Sequence, residues 1–149
     1  MKGMIDQRQR RQAYSNASRS VVAAMTGTPL PERITVVKGW GRRKSFGKPT
    51  AEALVAIAGL LGEGKAGVDF DWTGGDRVIK SAEALVRGTA ETADHLVEVA
   101  SCILKIRRVD AAVCEVAALL LAGQELEGWQ VDAICEEHHL PIARRQPVR

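Results

Sequence analysis

At 149 residues the chain has the length of one domain, and a composition of 46% hydrophobic and 26% charged residues suits a protein that buries a core. Only 4% is aromatic, and the apolar content is mostly Ala, Val and Leu, which favours helix packing over a β-sandwich. The net charge of +3 conceals a split: residues 1–50 hold 11 Lys/Arg against 2 Asp/Glu, whereas residues 51–140 hold 7 against 16.

No stretch approaches the roughly 18 apolar residues that span a bilayer, so no membrane partner is expected. Residues 1–31 carry Arg8, Arg10, Arg11 and Arg19 with one acid, Asp6, a composition shared with organellar transit peptides. Val21-Val22-Ala23-Ala24-Met25 is too short for the apolar region of a secretory signal. Cys102, Cys114 and Cys135 are too few for a disulfide framework, and all fall in stretches that read as helix. They are expected as small buried thiols in a reducing, cytoplasmic setting.

In chain order, residues 1–31 read as a basic N-terminal arm or helix. Residues 5–26 can be helical, although Ser15, Asn16 and Ser18 weaken the helix and its polar half has little to bury. Thr28-Pro29-Leu30-Pro31 stops it. The β-branched run at 33–37 predicts a strand. A loop of cations, glycines and two aromatics follows at 38–48. Thr50 is a good N-cap for a helix with Leu54, Ile57, Leu60 and Leu61 inward, and Gly62 ends it. The alternation of residues 68–72 predicts a second strand, forming with 33–37 a two-stranded ribbon.

Asp76 is placed to cap a helix through Arg87, with Val78, Ile79, Ala82, Leu85 and Val86 inward and Gly88 beyond its end. Residues 89–122 contain neither Gly nor Pro. An apolar seam runs from Leu96 to Leu120, interrupted by Asp110, and allows a continuous coiled-coil-like helix that would pair two copies. A break at Arg107-Arg108-Val109, with Asp110 capping a second helix, is preferred. Residues 111–121 are apolar nearly all round, which predicts a central position. A last helix is expected over roughly 126–139, with Trp129, Val131, Ile134, Cys135 and His138 at helical spacing. Pro141 then opens a basic tail over 141–149.

The loop is the strongest candidate for function. Its glycines allow close backbone approach, Trp40 and Phe46 offer stacking faces, and Lys38, Arg42, Arg43, Lys44 and Lys48 can neutralise phosphates. Arg8, Arg10 and Arg11 on the arm extend the same basic front, which can attract a polyanion by counterion release. The competing reading turns both aromatics inward as core anchors.

Enzymatic and metal motifs are broken. Five residues separate Gly41 from Gly47 where a P-loop needs four, and Pro49 removes an N–H that would face phosphate. Residues 69–76 start like a calcium loop, but Lys80 stands where a bidentate Glu belongs. Asp69-Phe70-Asp71-Trp72-Thr73 superficially resembles the Asp-x-Asp-x-Thr motif of haloacid dehalogenase-type phosphotransferases, yet residues 64–67 are no buried strand. Residues 110–145 have the outline of a helix-turn-helix, but His139 stands where Gly is usual and Pro141 would open the recognition helix. Cys135 and His138 share a helix face without a second close donor pair, so no zinc site is expected.

The expected fold is therefore mainly α. It is a helical bundle of four or five helices in a domain over 32–140, with a minor two-stranded β ribbon and the basic arm. No catalytic residue, metal or cofactor is assigned. The expected role is that of a non-enzymatic, nucleic-acid-associated accessory or regulatory protein. The alternative is a protein-interaction factor (adaptor, inhibitor or assembly subunit) docking its basic face on an acidic protein surface. Self-association through 89–122 completes the partner expectations.

Overall fold

The computed structural model describes residues 6–36, 48–66 and 72–143. Six helices lie among them: α1 (Gln7–Thr26), α2 (Pro49–Gly62), α3 (Trp72–Val86), α4 (Ala93–Lys105), α5 (Arg107–Leu121) and α6 (Gly128–Glu137). A 3₁₀ turn, Glu63–Ala66, continues α2.

Helix α1 begins where the Asp6 carboxylate accepts the Arg8 backbone N–H at 3.1 Å. It ends at Gly27, whose φ of 75° lets the Thr28 N–H reach back to the Ala23 carbonyl. Far from having little to bury, it is enclosed on nearly every side between Ala13 and Ala24, Ser15, Asn16, Ser18 and Ser20 included. Two of those polar groups have hydrogen bonds, while the buried Ser18 Oγ has none. Ser20 Oγ donates to the Asn16 carbonyl at 2.6 Å, and Asn16 Nδ2 donates to the Thr35 carbonyl at 2.8 Å.

What permits this burial is the face presented by α2. A Cβ on Gly62 would lie 2.1 Å from Ser18 Oγ and 2.8 Å from the Tyr14 carbonyl oxygen. A Cβ on Gly59 would lie 2.1 Å from Arg19 Nε. Small residues on both helices bring the backbones together, so the side chains that weakened the helical reading are the ones that fit. Helix α1 also packs against α5, α6 and the 3₁₀ turn, and α2 packs against α3 and α4. The centre is thus shared, and the 111–121 segment does not hold it alone. Val109, Ala112, Val113, Val116, Ala117 and Leu120 form the buried stripe of α5.

The break between α4 and α5 is present. Ile106 is extended (ψ 126°) and its carbonyl accepts the Asp110 N–H at 2.8 Å, so Ile106, not Asp110, is the N-cap. The Asp110 carboxylate points elsewhere: Lys65 Nζ donates to it at 2.5 Å and to the Leu104 carbonyl at 3.0 Å. The seam proposed for pairing two copies is divided by this corner, and Leu96, Val113, Ala117 and Leu120 from it are spent on the chain's own core.

Other expected boundaries shift in ways local chemistry explains. Lys48 is the N-cap of α2, with Pro49 in the first turn, where a missing N–H costs nothing, so Thr50 lies inside the helix. Helix α3 starts at Trp72, four residues before Asp76, and Leu85 is exposed while Ala82 and Val86 are buried. Gly88 and Gly123, both at φ 85°, follow α3 and α5 as expected of left-handed ends.

Of the ribbon, Ile34 makes one antiparallel bridge with Leu126, its N–H donating to the Leu126 carbonyl at 2.8 Å. Both residues are buried, so Ile34 is drawn to the α5–α6 connection. Residues 68–71 lie outside the described residues, and no strand occurs among those described. No helix of the described residues is long and apolar enough to cross a membrane.

Candidate anion-binding site

Most of the expected loop site, Lys38, Trp40, Arg42, Arg43, Lys44 and Phe46, lies outside the described residues. Lys48 is exposed at the start of α2. The arginines of the N-terminal segment are all placed, and they divide into two groups.

Arg10 serves the fold. Its guanidinium lies 6.0 Å from the centre of the Tyr14 ring, one turn along α1, and its Nε donates to the Ala66 carbonyl at 3.3 Å. It ties the end of the 3₁₀ turn to α1. This removes Arg10 from the set of freely presented cations that its position in the sequence suggests.

Arg8 and Arg11 face another way. Together with Gln12 and Arg19 they line one wall of a pocket of about 270 Å³. The opposite wall comes from Leu60 and Glu63 at the end of α2, and from Gly75 and Val78 in the first half of α3. Steps of three, four and seven along α1 keep residues 8, 11, 12 and 19 on one face of a 3.6-residue helix. Arg8 is exposed, whereas Arg11 and Arg19 are half-buried.

Arg19 is the member that sequence reasoning missed. Its side chain crosses the bare backbone at Gly59, and its Nε is buried without a hydrogen-bond partner. Burial pulls its pKa below the usual guanidinium value, and the nearby Glu63 carboxylate partly opposes that shift. A signal was present in the seven-residue step from Gln12 to Arg19. Convergence with Gly59 and Glu63, 40 and more residues away, arises only from α1–α2 packing.

A second surface is centred on Trp129, which is 65% exposed. Its indole N–H donates to the Glu127 carboxylate, and Arg33 and Glu125 form an exposed ion pair at 3.3 Å beside it.

The remaining sequence candidates do not assemble. Residues 141–143 carry no helix, and the Ala143 N–H donates to the Ala24 carbonyl at 3.1 Å, so no recognition helix follows α6 within the described residues. His139 does adopt the left-handed conformation (φ 59°) that favours Gly. Of the three cysteines, none of them in a disulfide, only Cys135 is buried, because Cys102 and Cys114 lie on the outer faces of α4 and α5. His138 Nε2 stands 3.7 Å from Glu115 Oε1 and makes no hydrogen bond. No group of three or more His, Cys, Asp or Glu suited to a metal ion occurs among the described residues.

No protein-family profile, no curated protein and no solved structure matches the chain.

Proposed function

We propose that this chain is a non-enzymatic accessory or regulatory protein that associates with nucleic acid through its basic N-terminal third. The observation that carries this reading is the arginine face of α1, where Arg8, Arg11 and Arg19 line one pocket with Glu63. Sequence-independent attraction to phosphates requires clustered cations and no base-reading motif. Lys48 and the loop cations Lys38, Arg42, Arg43 and Lys44 extend the same front in sequence, with Trp40 and Phe46 as stacking faces. Three cysteines without a disulfide suit a reducing, cytoplasmic location.

A salt-titrated binding assay with single- and double-stranded oligonucleotides tests the proposal. Affinity should fall steeply as salt rises, and Arg8→Gln and Arg11→Gln should each reduce the log–log slope by about 1. An absence of binding at low salt would refute it.

The exposure of Trp129 favours a second reading, a protein-interaction factor, because aromatic anchors are enriched at interface centres. In that case Trp129→Ala abolishes capture of a protein partner while Arg8→Gln leaves it intact.

A further inference from the structure

We infer that the outer face of α4 is the seat of a second copy of this chain, two such helices pairing antiparallel about a two-fold axis. The pairing stands apart from the nucleic-acid reading and does not depend on it.

The inner face of α4 is closed. Ala93, Leu96, Ala100 and Leu104 recur at steps of three and four and are buried in the chain's own core. A second stripe, His95, Val99, Cys102 and Ile106, runs at steps of four, three and four, the repeat of a two-helix seam. It points away from the core. Cys102 is exposed, Val99 is half-buried, and Ile106 is 47% exposed despite its size. His95, also exposed, stands 3.8 Å from Glu91 one turn back. Covering Val99, Cys102 and Ile106 removes apolar surface from water, which favours association.

Charge selects the occupant. Glu98 and Lys105 lie seven residues apart, on one flank of the stripe. Both are exposed, and neither forms an ion pair among the described residues. Lys105 is the only lysine or arginine of α4 and lies in its last turn, whereas Asp94 and Glu98 occupy the first half. A parallel partner would set Glu98 against Glu98 and Lys105 against Lys105. An antiparallel partner sets Glu98 of each copy beside Lys105 of the other, twice over by symmetry. The same register lays Val99 on the other copy's Cys102, and His95 on its Ile106. Opposed helix dipoles favour that orientation as well. The face is therefore complementary to itself, and in one direction only.

The test is the mass of the full chain by light scattering and sedimentation from about 1 µM to 1 mM, because an interface confined to one short helix belongs to the weak class. A concentration-dependent dimer is expected. Glu98→Lys alone and Lys105→Glu alone should each weaken it about ten-fold, since two exposed pairs change from attraction to repulsion. The double variant, which exchanges the charges, should restore it. Trp129→Ala should leave it unchanged. A short bismaleimide should link two copies through Cys102 in a Cys114→Ser background and fail in Cys102→Ser. All these positions are exposed, and an unchanged melting temperature in dilute solution confirms that each variant folds.

A monomer at every concentration overturns the inference. So does a dimer that ignores both single reversals, or one that Trp129→Ala removes, because another face then makes the contact. Loss with both single variants and no recovery in the double overturns the antiparallel register. Shielding of Cys102 from alkylation only in host lysate, with a purified monomer, assigns the face to a foreign protein and overturns self-pairing.

Discussion

Helices α1 and α5 are both deeply buried, and they reach burial by opposite chemistry. Helix α5 does so through an apolar stripe, Val109, Val113, Val116 and Leu120, read directly from its spacing. Helix α1 buries Ser15, Asn16, Ser18 and Ser20 among alanines, where hydropathy predicts a solvated face. The difference lies in the partner. Gly62 brings the backbone of α2 so close to Ser18 and the Tyr14 carbonyl that only a small side chain fits there, and the Ser20 hydroxyl returns its hydrogen bond to the helix itself. Size, more than polarity, selects the residues on α1.

Substitutions break this comparison in different ways. Leu120→Ala, in the fully buried stripe of α5, should cost about 3 kcal/mol, read as a lower urea midpoint. Gly62→Ala should cost about 2 kcal/mol because its Cβ meets Ser18 and the Tyr14 carbonyl, even though alanine favours the helix by about 1 kcal/mol. Gly64→Ala, where nothing lies within 4 Å, provides the contrast and should be nearly neutral. If Gly62→Ala stabilises instead, the close packing of α1 on α2 is wrong. Asn16→Ala should cost about 1.5 kcal/mol, since it leaves the Thr35 carbonyl without this donor.

The smallest effect concerns the outer face of α5. Burial and then the Asp110 carboxylate push the Cys114 thiol above its ordinary pKa, while Lys65 pulls it down. A raised pKa means less thiolate at any given pH, so alkylation of Cys114 should begin at higher pH than for a free thiol. Lys65→Met should delay it further, which a pH series of iodoacetamide labelling followed by peptide mass mapping would resolve.

Much of the fold is legible in the sequence where a single local signal decides it. The glycines after α3 and α5, the apolar face of α2 and the break before Arg107 are of this kind. Errors arise where two regions must be known together. The run at 33–37 reads as a strand, but among the described residues only Ile34 of it pairs, with Leu126. Asp110 reads as a cap because Lys65, its actual partner, is 45 residues away. The site follows the same rule. Arg8 and Arg11 stand out as charge, whereas Arg19 matters only once Gly59 and Glu63 are placed beside it.

The lysine that spans the α4–α5 corner has a kinetic consequence. Lys65 reaches Leu104 and Asp110 across 39 and 45 residues, so its two bonds form only after a long loop has closed. Contacts of that separation add little to the folding transition state and much to the barrier for leaving the native state. Lys65→Met should therefore accelerate unfolding several-fold in stopped-flow measurements while leaving the folding limb almost unchanged. The corner then acts as a latch, set last and released first.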